Sequence, residues 1–251
     1  MDIVYHGSKE HGLKRLVPKK STHGVYVYGT YDYVLSMHFG KRCGDDLTYD
    51  IGHFDSNDIW ELVENIPMGL EKMYSNSSSI YTVSSSTFKD INTGFYEVVS
   101  EDVVDVLNEE YYDNLYEAIL KLEKDGLLKI YRYPNKPINF NKNHIFDKWR
   151  YYKYKLNKDF KKYEFDRLVY LHPYLLNEVN RLAKEFNYDY HYEISDLYDI
   201  FKERVERQII DPTHEEYIDS AYINICNTYP NLKNMLDEIY DNYKKSNNRV
   251  I

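Results

Sequence analysis

The chain has 251 residues, enough for one large domain or two modest ones, and 43% of them are apolar, enough to fill a core. A formal net charge of -9 repels polyphosphate, which disfavours a general nucleic-acid binder. Cys43 and Cys226 lie far apart and no Cys or His pair stands at metal-ligand spacing, so neither a disulfide framework nor a metal site is expected.

The opening segment MDIVYHGSKEHG has no basic stretch leading into a long apolar one, and no run approaches the ~20 apolar residues that span a bilayer. The expectation is a cytoplasmic protein without membrane contact. Short apolar runs punctuated by Gly, Ser and Pro predict strands at about 2–5, 25–28, 79–84, 95–100, 103–107 and 128–132. Long excursions separate several of them, which favours a mixed or antiparallel sheet. Helices are expected at about 32–40 and at about 111–125, where Tyr112, Leu115, Ala118, Ile119 and Leu122 repeat at helical spacing before Asp125-Gly126 offers a C-terminal cap.

Pro134 and Pro137 then stop regular structure, which marks a boundary between a first domain, 1–137, and a helical accessory domain, 138–251. In the second, Leu175, Leu176, Val179, Leu182, Ala183 and Phe186 form one apolar stripe, and Leu197, Ile200, Phe201 and Val205 begin another. Pro173, Pro212 and Pro230 each fall near a helix start, and four or five helices are expected. Residues 148–167 interleave lysines with Trp149, Tyr151, Tyr152 and Tyr154; they read as an amphipathic linker helix, with a base-stacking surface as the alternative. The fold class expected is α+β: a mixed or antiparallel sheet core followed by an α-helical subdomain.

Three short segments carry chemistry. The first strand runs into Tyr5-His6-Gly7-Ser8, where a glycine lets the backbone approach a flat ligand while the imidazole reaches a hydroxyl. In GVYVYGT, residues 24–30, Tyr26 and Tyr28 alternate along a strand and share a face able to present a ring. In FYEVVSEDVVDVL, Glu97 opens an apolar strand, where a carboxylate can accept a ribose hydroxyl or stabilise positive charge.

Together, His-Gly-Ser on the first strand, Tyr on the next and Glu at a late strand resemble the His-Tyr-Glu signature of the ADP-ribosyltransferase superfamily. The likeness is nearest to the branch with poly(ADP-ribose) polymerases, diphtheria toxin and rifampin ADP-ribosyltransferases, and it covers residues 1–137. It implies an ADP-ribosyltransferase-like sheet and NAD as substrate, cleaved at the nicotinamide–ribose bond without a metal and transferred to an acceptor that is protein, nucleic acid or small molecule. His6 and Gly7 would hold the nicotinamide-ribose end, Tyr26 would stack on the ring and Glu97 would orient the ribose 2′-hydroxyl, with Ser8 and Thr30 in supporting positions. Tyr28 stays open as an alternative to Tyr26, Asp90 competes with Glu97, and Phe39 is spaced to give a second aromatic wall. Two other activities stay open: a non-catalytic module that binds NAD or a partner, and an RNA 2′-phosphotransferase. The latter needs arginines, of which this region offers chiefly Arg15 and Arg42. Small bacterial or phage-type members of the superfamily modify host targets, so the resemblance also implies a toxin or phage-defence role.

Overall fold

The computed structural model describes residues 2–21, 23–42, 47–56, 58–93, 95–141, 144–148, 162–211 and 216–247. Cys43, Pro212 and the run with Trp149, Tyr151, Tyr152 and Tyr154 lie outside the described residues. The chain is α+β, with antiparallel sheets first and helices toward the C-terminus. It divides into two compact units: one of residues 1–44, 51–62 and 70–131, the other of 45–50, 63–69 and 132–251.

In the first unit, β1 (Ile3–Ser8), β2 (Arg15–Leu16), β7 (Ser78–Ser84) and β9 (Val104–Tyr112) form a sheet in the order β1-β7-β9-β2. A second sheet has the order β3-β4-β8, from Lys19–Ser21, Gly24–Gly29 and Val98–Ser100. Tyr5 and Thr30 join the two, exchanging backbone hydrogen bonds of 2.8 and 2.9 Å. A core of Val4, Leu16, Val27, Tyr81, Val83, Val98 and Val104 lies under both sheets. Val27 stands between Tyr26 and Tyr28 and Val83 between Thr82 and Ser84, the alternation by which a half-buried antiparallel sheet divides its two faces. The remaining strands, β5 (Tyr49–Gly52), β6 (Trp60–Glu64) and β10 (Leu128–Tyr131), form a sheet in the order β10-β6-β5.

Helix α1 (Tyr33–Gly40) starts at Asp32, whose Oδ1 accepts from Leu35 N at 2.9 Å, a side-chain N-cap. A short helix, α2, spans Gly69–Tyr74. Helix α3 (Leu115–Lys124) starts later than the spacing predicts, because β9 stays paired with β7 as far as Tyr112, opposite Ser78. Asn114 caps it through Tyr116 N, and Gly126, at φ +75°, ends it. The strand expected over 95–100 is shorter as well: β8 begins only at Val98, and Tyr96, at φ +46°, leaves extended geometry.

In the second unit, α4 (Lys162–Leu171), α5 (Leu176–Glu185), α6 (Asp196–Ile210), α7 (Ile218–Thr228) and α8 (Lys233–Asn247) pack around Phe165, Leu168, Val179, Leu182, Phe201 and Ile225. Pro173 and Pro230 each open a 3-10 turn that leads into a helix, where a proline's missing N–H costs nothing. Inside this unit Arg204 and Glu216 form a buried ion pair at 2.7 Å, their side chains only 3% and 2% exposed. Arg207 reaches the other carboxylate oxygen at 3.1 Å, and the rings of Tyr163 and Tyr170 lie against the Arg204 guanidinium.

Candidate functional site

Strand register decides which named residues share a surface. Tyr5 pairs with Thr30 and Tyr28 pairs with Val99. Residues opposite one another lie on one face and side chains alternate, so Gly7, Tyr26, Tyr28 and Thr30 belong to one face of the β1–β4–β8 array, and Glu97 directly precedes β8. Val4, Val27 and Val98 belong to the other, which is the core. His6 and Ser8 carry the core-side parity; the His6 ring is 6.4 Å from that of Tyr81.

Helix α1 packs on Gly7. A Cβ there would stand 2.1 Å from the Ser36 carbonyl oxygen and 2.7 Å from Gly40 N, so only glycine admits the helix at this distance. The second residue of His-Gly-Ser is thus required by packing, whatever else its peptide does.

His6 Nδ1 donates to the Tyr28 carbonyl at 2.7 Å; a carbonyl only accepts, so the proton is on Nδ1 and Nε2 is left as the acceptor nitrogen. Burial lowers the His6 pKa and favours this neutral form. His6, Ser8, Tyr26 and Tyr28 line a cavity of about 190 Å³ together with Glu10 and Lys19. Tyr28 Oη is buried without a hydrogen-bond partner among the described residues. A buried orphan of this kind is uncommon in folded proteins.

Glu97 lines a different and larger cavity of about 620 Å³ with Thr30, Asp32, Trp60, Asp90 and Tyr96. That volume falls within the ~300–1,000 Å³ typical of small-molecule sites, whereas the smaller cavity falls below it. Glu97 is half-buried; burial pushes its carboxyl up, partly offset by a hydrogen bond with Thr93. The cavity wall is braced by Asp32, whose Oδ2 accepts from Trp60 Nε1 at 2.7 Å while Oδ1 caps α1. His53 lies 4.3 Å from Trp60 between ring centroids, and Tyr96 meets Trp60 edge-on at 5.3 Å. Phe95, also in the lining, packs against Phe39 at 6.0 Å and His38 at 5.5 Å.

The structure therefore brings Thr30, Asp90 and Glu97 into one cavity, reached by Phe39 only through Phe95, and His6, Ser8, Tyr26 and Tyr28 into another. Asp32, His53, Trp60 and Tyr96 were not legible as site residues. Asp32 and Trp60 meet only through folding, 28 positions apart, and an acid directly before a helix was the one local signal. Among the described residues no group of three or more His, Cys, Asp or Glu is arranged to hold a metal ion, and no helix is long and apolar enough to cross a membrane. Comparison of the chain with protein-family models, with curated proteins and with solved structures finds no match.

Proposed function

We propose that the first unit is an ADP-ribosyltransferase-like domain that takes NAD as substrate, breaks the bond between nicotinamide and ribose, and passes ADP-ribose to an acceptor. The observation that carries this reading is the placement of Glu97: it directly precedes β8 and is half-buried in an aromatic-lined cavity with Thr30, which shares a face of the β1–β4 pair with Gly7, Tyr26 and Tyr28. The unused Tyr28 hydroxyl and the acceptor nitrogen of His6 suit a ligand rich in ribose hydroxyls.

In this chemistry the glycosidic electron pair leaves with nicotinamide, whose ring nitrogen becomes neutral, and the ribose develops oxocarbenium-like charge, as in glycoside hydrolysis. A Glu97 carboxylate stabilises that charge and holds the 2′-hydroxyl; tyrosine rings hold the departing base in line. The acceptor's lone pair then closes the new bond to the ribose carbon.

One observation favours a second reading, a module that binds NAD or a partner without turnover: His6 and Glu97 line separate cavities. Release of nicotinamide from NAD by the purified chain, followed beside Glu97→Gln and His6→Ala with NAD binding measured in the same samples, decides between them. Turnover lost in both variants supports the transferase, binding without turnover supports the module, and absence of binding refutes both.

A further inference from the structure

The transfer described above uses Glu97 and Thr30 and leaves most of the larger cavity unassigned. The rest of its lining has an unusual composition for a surface recess. Tyr31, Trp60, His53, Phe95 and Tyr96 contribute rings, Asp90 adds a carboxylate to that of Glu97, and among the described residues neither Lys nor Arg lines it. Tyr96 is 70% exposed although it touches Trp60 edge-on, so an aromatic face stands open at the cavity.

The carboxylates differ in what they have left to offer. Asp32 is committed, one oxygen to Leu35 N and the other to the Trp60 indole. Asp90 is exposed and uses Oδ1 to accept from Asn92 N at 2.6 Å. The groups acting on Glu97 are its own burial, Thr93 and His23, with no lysine or arginine among them. Two carboxylates with no lysine or arginine in the described lining, beside the exposed Tyr96 ring and with only the titratable His23 imidazole acting on Glu97, suit a positively charged organic group, since ring quadrupole and carboxylates attract it together.

We propose that the recess walled by Trp60, Tyr96, His53 and Asp90 is a binding site for an organic cation, a guanidinium or alkylammonium group borne by a small amine or a basic side chain. It takes such a group whether or not NAD is present, and it rests on the transferase reading only in that the bound cation then stands in the cavity that holds Glu97. A neutral group of the same shape gains the ring contacts but not the charge, and an anion is repelled.

The test is calorimetric titration of the full chain with agmatine, with tetramethylammonium and with neutral N-butylurea, in parallel with the nicotinamide-release assay. The two cations distinguish guanidinium from alkylammonium, and either of them binding at least about tenfold more tightly than the urea is the expected result. Asp90→Asn, which keeps the oxygen that accepts from Asn92, and Tyr96→Ala, at an exposed position, are each expected to weaken the cation about fivefold while the thermal midpoint stays unchanged. Equal affinity for cation and urea, no binding of either cation, or full affinity in both variants overturns the proposal. Turnover of NAD without cation binding removes this inference alone, and cation binding without turnover removes the transferase alone.

Discussion

Replacing Gly7 by alanine tests whether helix α1 sets the identity of that residue. The added methyl would meet the Ser36 carbonyl at 2.1 Å and Gly40 N at 2.7 Å, both backbone atoms that no rotamer change can move. Restoring ordinary van der Waals contact needs α1 to withdraw by about 1.3 Å, which loosens Leu35 and Met37, buried side chains on the same helix. Such overpacking belongs at the upper end of its usual range, about 3 kcal/mol. For a chain of this length that lowers the thermal midpoint by about 6–12 °C. Gly12→Ala is the reference: Gly12 sits at φ +69° with open space around its Cβ position, so its cost is local strain of about 1 kcal/mol. Thermal unfolding followed by circular dichroism, with urea titration as a second reading, compares the two. If Gly7→Ala melts within about 2 °C of the parent chain, or loses less than Gly12→Ala, the packing account of this glycine is wrong.

Three further outcomes are expected. Burial raises the Glu97 pKa, so its charged form opposes folding at neutral pH, and Glu97→Gln should melt no lower than the parent at pH 7 while nicotinamide release falls about 100-fold or more; the parent's release rate should also fall as pH drops through that raised pKa. His172 is fully buried, donates Nε2–H to the Leu47 carbonyl, and has its pKa pushed down from 6.5 to about 3 by burial; the unfolded chain therefore takes up the proton first, and stability measured by urea titration should fall by about 2 kcal/mol between pH 7 and pH 5, a slope that His172→Gln flattens. Arg204→Met leaves Glu216 buried with Arg207 as its remaining partner and should cost about 3 kcal/mol by the same titration, with part of the loss recovered in the double variant Arg204→Met, Glu216→Gln; an additive loss in the double variant would count against the ion-pair account.

Local pattern located some elements well. Runs such as IVYH, VYVY and SIYTV have the short alternation of strands, and their chain segments are strands β1, β4 and β7. Pattern fails where tertiary contacts overrule it. Glu109, Glu110, Tyr111 and Tyr112 have no strand-like alternation of their own, and β9 runs through them because β7 supplies the ladder; Asn114, which caps α3, was the available marker of the true helix start. Strand β6 was missed because WELVE puts two acids among its five residues, whereas Glu61 is fully buried, accepting from Phe54 N at 2.6 Å and Asp55 N at 2.7 Å. The same limit applies to the site. Tyr26 and Tyr28 could be named from strand periodicity, since neighbours in a ladder inherit their face from position, whereas Glu97 was marked by standing before an apolar run and Thr30 by the family resemblance alone. His53 directly follows β5 and Trp60 opens β6, and the course of the connection between them depends on Glu61 and Asp32, which nothing in the connection's own residues states.

Asp32 fastens two pieces of the cavity with one carboxylate, the start of α1 and the Trp60 indole. A ligand that wedged the indole aside would strip a charge-assisted hydrogen bond and leave a carboxylate oxygen to find another donor, so the wall resists being pushed open. The recess thus behaves as a gauge of fixed bore: molecules are sorted by whether they fit beside Trp60 as it stands, and adaptability is left to its exposed rings, Tyr31 and Tyr96.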